Sequence, residues 1–253
     1  MPKQPLISGV HNYCDRWCER CRFLDRCAVG AIELERWAKG QDWQPEDFFR
    51  ELDAMFHLTT LEKPDWLAEM EFSRDDLEAE DPDPQLEALQ KAVQERGMHY
   101  FRGVQEFLKA QKEQLKAHHI DLDAAFAEGR DQQERSELAE ALEVIHWYLH
   151  FMFVKGCRAL GGLEDMHDEH WGGAHQSDAN GSAKIAMIAV QRSMGAWEVV
   201  RRHWPERQLT IAGFIREINQ FRRLLERYFP DWHKFIRPGF DTEPSAAPEF
   251  GSN

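Results

Sequence analysis

The sequence predicts an all-α protein with a cysteine-ligated metal module near its N-terminus. Three observations lead to this prediction. Apolar residues recur with helical spacing along much of the chain, no strand-like alternation of useful length interrupts them, and four of the five cysteines fall within the first thirty residues. We expect an antiparallel bundle of about four long helices, because helices with one apolar face each bury those faces economically against one another.

Apolar stripes and start and stop signals delimit the four helices. The first is expected over about 84–117, the second over 134–159, the third from Ser177 or Asp178 to about His203, and the fourth over about 211–228. Four regions follow from these limits. They are a cysteine-rich module at 1–45, short helices and an acidic linker at 46–83, the helical bundle at 84–235, and a flexible tail at 236–253.

The charge of the chain argues against several classes of partner. Among 253 residues, 45 acidic side chains outnumber 31 basic ones, which gives a formal net charge of −14. This balance opposes attraction to phosphate backbones and anionic lipid, so we expect neither nucleic acid nor a membrane as a partner. The N-terminal residues lack the apolar run of a signal peptide. We therefore expect a cytoplasmic protein, in which clustered cysteines serve as metal ligands or redox groups rather than as disulfides.

The clustered cysteines are the most informative feature of the sequence. Cys14, Cys18, Cys21 and Cys27 form the pattern C-x3-C-x2-C-x5-C. We expect these four thiolates to bind a [4Fe–4S] cluster, which accepts ligands from one compact loop. Zinc is the alternative, although structural zinc usually takes its thiolates from two separated knuckles and only Cys18 and Cys21 have that spacing. Free or redox-active thiols are the third interpretation.

Parts of the pattern resemble cysteine motifs of two known families. Cys18-x2-Cys21-x5-Cys27 resembles the cysteine staple of iron–sulfur nucleases of the RecB-like superfamily. This resemblance implies the cluster but not the nuclease activity, since the α/β core and carboxylate–lysine motif of those enzymes have no counterpart here. Cys14-x3-Cys18-x2-Cys21 is similar in spacing to the motif of radical S-adenosylmethionine enzymes. No βα alternation follows it, however, and Arg20 stands where those enzymes usually carry an aromatic residue.

Histidines on the second long helix suggest a second metal site. Glu143, His146 and His150 share one helix face, and Glu-x2-His is the ligand step of di-iron carboxylate bundles. The third and fourth helices lack inward carboxylates for a di-iron site. We therefore consider a mononuclear site, with Glu95 or His99 from the preceding helix as a further ligand. Hydrogen-bonded histidines without a metal are the alternative.

The loop after the second helix contains His167, His170 and His175 among acidic residues and glycines. Loops held by a rigid scaffold often carry function, so we add His167 and His170 to the candidate ligands of the second site. A solvated polar connector is the alternative explanation for this loop.

Two functions follow from these features. The first is a metal-binding helical protein whose [4Fe–4S] cluster has a redox, electron-transfer or structural role, feeds a second site in the bundle, and works with a redox or protein partner. The second is a zinc-stapled helical adaptor that binds a protein partner and catalyses nothing. The sequence names no substrate, reaction or catalytic residue, so whether the protein is an enzyme stays open.

Overall fold

The computed structural model describes residues 5–38, 83–111, 137–163 and 174–241. Within these ranges, 79% of the residues are helical and no strand occurs. Five α helices pack together: α1 (Ala28–Ala38), α2 (Pro84–Ala110), α3 (Glu137–Gly161), α4 (Asp178–His203) and α5 (Gln208–Tyr228). The predicted all-α class is confirmed. The described helices number five rather than the predicted four, because the residues after Cys27 form a helix of their own.

Local sequence signals fix where two of the long helices begin. The Asp83 side chain caps α2 by accepting a hydrogen bond at 2.8 Å from the amide two residues further on, and Pro84 occupies the first turn, where no donor is required. The Ser177 side chain caps α4 by accepting from the Asn180 amide at 3.2 Å. Of the two predicted start residues of α4, Ser177 is therefore the N-cap and Asp178 is the first helical residue.

The four long helices surround one hydrophobic core. α3 packs against α2 and α4, while α5 packs against α4 and α2. Glycines let the helices approach closely, since a Cβ atom on Gly156 of α3 would lie 2.4 Å from the Phe221 ring of α5. None of the helices within the described ranges is long and apolar enough to cross a membrane.

One buried hydrogen bond and several aromatic contacts connect the long helices in the core. Trp197 Nε1 of α4 donates to the Tyr100 hydroxyl of α2 at 2.7 Å, and both residues are fully buried. The Phe214 ring of α5 packs against both of them. Because buried polar atoms cost free energy unless they are paired, this hydrogen bond fixes the relative placement of α2 and α4.

Candidate metal centre

The four N-terminal cysteines border one cavity between the N-terminal segment and α1. Cys18 opens a short 3₁₀ turn (Cys18–Arg20), Cys21 follows that turn, and Cys27 directly precedes α1. All four are free thiols; Cys27 is buried and the other three are partly buried. The cavity has about 20 Å³ of space, room for about one water molecule, and it is partly open to solvent. Besides the cysteines, its wall includes Val10, His11, Trp17, Leu24, Val29 and Phe240.

A glycine brings the last cysteine into place. A Cβ atom on Gly30 would lie 2.2 Å from the Leu24 carbonyl oxygen, so only glycine allows this carbonyl to approach the first turn of α1. The Ala31 amide donates to the Cys27 carbonyl oxygen at 2.9 Å. This packing sets Cys27 directly before α1, on the wall of the cavity that the other three cysteines also line.

Burial raises the pKa of three of the thiols. The pKa of Cys18 is raised to about 12, chiefly by loss of hydration and then by the neighbouring Cys14. Burial also raises the pKa of Cys14 and Cys21, and each of these two sulfur atoms accepts a hydrogen bond from a backbone N–H that opposes the rise. These thiols are therefore protonated at neutral pH unless a cation lies beside them, and a bound metal ion is such a cation.

The backbone of the loop supplies hydrogen-bond donors to sulfur. The Arg16 N–H donates to Cys14, and the Phe23 N–H donates to the sulfur of Cys21 at 3.4 Å. Arg16 has a φ of 60°, in the left-handed region that residues other than glycine rarely occupy. Donors of this kind favour the thiolate form of a cysteine over the thiol, which is the form that binds metals.

The cysteines are not already arranged as metal ligands. Among the described residues, no group of three or more His, Cys, Asp or Glu side chains is placed so that it could hold a metal ion. The four thiols share a cavity, and ligation requires their side chains to turn towards a common centre. The assignment of Cys14, Cys18, Cys21 and Cys27 as ligands therefore stays a prediction.

Asp15, between the first two cysteines, anchors the loop to the long helices. Its Oδ2 accepts a hydrogen bond from the Tyr148 hydroxyl of α3 at 2.7 Å and another from Arg192 of α4, which also contacts the Tyr148 hydroxyl. Its carbonyl oxygen accepts from Trp147 Nε1 at 2.9 Å. Burial, followed by the Asp15 charge, raises the pKa of Tyr148, so the phenol remains a hydrogen-bond donor.

Aromatic stacking provides a second contact with α3. The Trp17 ring lies parallel to the Trp147 ring with 5.0 Å between centroids, and it is edge-on to Tyr148 at 6.0 Å. The Arg20 guanidinium lies 4.2 Å from the Trp17 ring centroid and pairs with the Glu143 carboxylate at 2.6 Å. Trp17 is thus buried, and it both lines the cysteine cavity and stacks on α3.

The run of small residues at the start of α4 receives Tyr13. A Cβ atom on Gly181 would lie 2.4 Å from the Tyr13 ring and 2.7 Å from the Phe235 ring, so these two aromatic residues occupy the space that a larger residue would fill. The Tyr13 hydroxyl donates to Asp178 Oδ1 at 3.0 Å. Burial and this carboxylate raise the pKa of Tyr13 to about 12.

The segment after α5 also contributes to the wall of the cysteine cavity. The Phe240 ring lines the cavity and meets the Phe23 ring edge-on at 5.0 Å, and its carbonyl oxygen accepts from Arg22 at 3.2 Å. Lys184 of α4 holds this segment by pairing with Asp241 at 2.7 Å. Residues 236–241, which the sequence analysis placed in the flexible tail, lie against the cysteine loop in this way.

The described candidates for a second metal site do not assemble. Glu143 is buried and its carboxylate is occupied by Arg20, whereas His146 and His150 are exposed. The His150 ring stacks on Phe101 with 3.9 Å between centroids. His167 and His170 lie outside the described residues.

Two further candidates have other neighbours. His99 lies 3.6 Å from the Glu217 carboxylate of α5, and His175 is exposed in the turn before α4. The second site therefore stays a prediction, without support from the contacts of its described members.

Several residues of the cysteine site were not singled out from the sequence. Asp15, Tyr148 and Arg192 are far apart in the chain, and nothing in their local sequence marks them as partners. Phe240 likewise reaches the cavity through tertiary structure alone. His11 was detectable in principle, because it lies only three residues before Cys14.

Comparison with known proteins identifies no relative. The chain matches no protein-family model, no curated protein and no solved structure.

Proposed function

We propose that this chain is a metal-binding helical protein whose N-terminal loop holds a [4Fe–4S] cluster on Cys14, Cys18, Cys21 and Cys27. The observation that carries the proposal is that all four thiols line one cavity, although a 3₁₀ turn and a second short turn separate them along the chain. Four thiolates are the ligand set of such clusters. The cytoplasm, and a redox or protein partner, remain part of this proposal.

The surroundings of the thiols suit a cluster. A cubane occupies a volume, whereas a single zinc ion draws four sulfur atoms to about 2.3 Å from one point. The four thiols line one small cavity, so either group requires their side chains to turn towards a common centre. Trp17, Leu24 and Phe240 supply apolar cover, and backbone N–H groups reach two of the sulfur atoms. Both features tune cluster potential in proteins.

When bound, such a cluster takes up and gives back electrons. The residues of this chain supply the rest. Trp17 and Phe240 exclude water from two sides, and Arg16 places a positive charge on the wall of a cavity that would hold an anionic metal–thiolate group. The proposal needs no second centre, since the described candidates for one are engaged elsewhere or exposed to solvent.

The second candidate function is a zinc-stapled adaptor without catalysis. It is favoured by the number of elements that meet at the loop: α3 through Asp15, α4 through Tyr13, and the segment after α5 through Phe240. A metal that fixes such a junction stabilises the fold outright and needs no electron transfer. Its partner would be a protein.

The test is anaerobic purification of the chain followed by a visible spectrum and elemental analysis of iron and zinc. We expect a brown protein with about four irons per chain and an absorbance that dithionite bleaches. Cys18→Ser should abolish the iron content. Cys157→Ser is the matched control, because the Cys157 sulfur lies on α3 beside the Gln90 carbonyl at 3.9 Å and away from the cavity; it should leave the iron content unchanged.

Other outcomes separate the two candidates. The zinc-stapled adaptor would be supported, and the [4Fe–4S] cluster contradicted, by a colourless protein with one zinc per chain that the Cys18→Ser variant loses. Absence of both metals, even after anaerobic reconstitution with each, would contradict both candidate functions and leave the cysteines as free thiols.

A further inference from the structure

A fifth donor side chain lies on the wall of the cysteine cavity. His11 lines this cavity together with the four cysteines. Its carbonyl oxygen accepts a hydrogen bond from the Cys14 thiol at 3.5 Å, which holds the residue beside the cysteine loop. Its ring nitrogen Nδ1 is buried and has no hydrogen-bond partner among the described residues.

An unpartnered buried nitrogen of this kind requires an explanation. Most buried polar atoms in native proteins have a partner, because leaving one without a partner is unfavourable. Around His11 the cavity wall offers thiols and the apolar side chains of residues such as Val10, Leu24 and Val29. Because His11 lines the cavity that carries the four candidate ligands, a group bound in this cavity can supply the missing partner.

We propose that His11 Nδ1–H donates a hydrogen bond to a sulfur atom of the metal–thiolate centre, and that His11 is a positioning residue rather than a ligand. This inference rests on the proposed metal binding and applies to iron and zinc alike. Four thiolates already saturate either centre, and their sulfur atoms carry negative charge that N–H donors stabilise. His11 then joins the Arg16 and Phe23 amides as a third donor to sulfur.

The test uses Co²⁺ as the probe, because its thiolate charge-transfer band reports the number of sulfur ligands whichever metal the protein holds naturally. Apo protein is titrated anaerobically with Co²⁺ for the wild-type chain, His11→Leu and His11→Asn. Leucine has a similar size and no donor. Asparagine places a side-chain N–H close to the position of histidine Nδ1, so it is the conservative rescue.

We expect the His11→Leu variant to keep the wild-type band intensity per cobalt. It should bind Co²⁺ about 10- to 100-fold more weakly, which is the usual cost of removing a residue that hydrogen-bonds to a metal ligand. His11→Asn should recover most of that affinity. In the absence of metal, His11→Leu should be at least as stable as the wild type by urea unfolding, since it removes an unpartnered buried nitrogen. A loss of apo stability that accounts for the weaker binding would overturn the proposal.

Three further results would also overturn it. A changed band intensity or a changed d–d spectrum in His11→Leu would make His11 a direct ligand. Unchanged affinity in that variant would mean that His11 does not contact the centre. If wild-type chain binds no Co²⁺ and contains no iron or zinc, the proposed function itself fails and the role of His11 falls with it.

Discussion

At the residue scale, Asp15 has the densest set of partners in the cysteine loop. One carboxylate oxygen accepts from Tyr148 and Arg192, the other accepts from the Trp17 amide at 3.3 Å, and the carbonyl oxygen accepts from Trp147. Tyr148 is fully buried, so its hydroxyl depends on Asp15 and Arg192 rather than on water. Asp15 thus anchors the cysteine loop on α3 alongside the stacking of Trp17 on Trp147.

Removing either partner of the Asp15–Tyr148 hydrogen bond should destabilise the protein. We expect Tyr148→Phe to lower the free energy of unfolding by about 1.5–3 kcal/mol, the usual contribution of a hydrogen bond to a charged group. Asp15→Asn should cost a similar amount, and it keeps the oxygen that accepts from the Trp17 amide. Urea unfolding of the two single variants and the double variant measures both costs.

The double variant is the control for this prediction. Because the two side chains share one hydrogen bond, the cost of the double variant should fall short of the sum of the single costs by about 1 kcal/mol. Additive costs would mean that the Asp15–Tyr148 contact does not contribute and that each residue acts through other neighbours.

At the scale of the element, a close backbone contact helps to position α1. The Leu24 carbonyl oxygen lies 2.2 Å from the position that a Cβ atom on Gly30 would take. The backbone of the turn before α1 therefore touches the backbone of the first turn of α1. This contact sets the distance between Cys27 and the loop that carries the other three cysteines. A helix this short gains little stability by itself and depends on such packing.

The Gly30→Ala variant should therefore open the turn before α1. The clash with a backbone oxygen cannot be relieved by a side-chain rotation, and we expect overpacking to cost about 1–3 kcal/mol. Hydrogen exchange followed by mass spectrometry of peptides from 28–38 should show faster exchange in the variant.

Gly195→Ala is the matched control for Gly30→Ala. Gly195 lies inside α4, and nothing lies within 4 Å of the position that its Cβ would take. Alanine is the better helix former, so this variant should be more stable by about 0.5–1 kcal/mol. Equal behaviour of the two alanine variants would show that the Leu24 contact does not constrain α1.

At the scale of the whole molecule, the N-terminal loop and the segment after α5 hold one another against α4. Asp241 connects the segment after α5 to α4, since it accepts hydrogen bonds from Arg237 of that segment and pairs with Lys184 of α4 at 2.7 Å. Burial alone would raise the pKa of Asp241, but Arg237 and Lys184 outweigh it and hold this pKa well below its ordinary value. Phe240, beside it, then covers the cysteine cavity.

Replacing Asp241 with asparagine should lower the free energy of unfolding by an amount that depends on pH. The folded-state pKa lies below the unfolded value of about 3.9, so the contribution of Asp241 is complete above about pH 5 and is lost as the pH falls through the folded-state pKa. At pH 7, Asp241→Asn should cost about 1 kcal/mol, after allowance for the partial exposure of the pair. Urea unfolding of both proteins between about pH 7 and pH 2 measures the difference.

That difference should shrink steadily below about pH 4, because the wild type loses the carboxylate charge that the variant never had. A difference that stays constant down to the lowest pH would contradict an electrostatic role for Asp241. Asp231→Asn provides a comparison, because the exposed Asp231 carboxylate pairs at 2.9 Å with Lys234, only three residues further along the chain.

The sequence by itself determined the helical class and most of the helix limits. These properties depend on local patterns: the apolar periodicity of each segment, the caps Asp83 and Ser177, and the proline that follows α4. It also determined that four cysteines fall within 14 residues, a spacing from which one compact loop can bring them to a shared site.

Only the tertiary structure decided what surrounds those cysteines. Asp15 meets Tyr148 and Arg192 across more than 130 positions of the chain, and Phe240 reaches the cavity from beyond the last long helix. Pairings of this range depend on how helices pack, and a local sequence pattern carries no record of them. The same packing turned Glu143 towards Arg20 and left His146 and His150 at the surface, so a shared helix face alone does not establish a metal site.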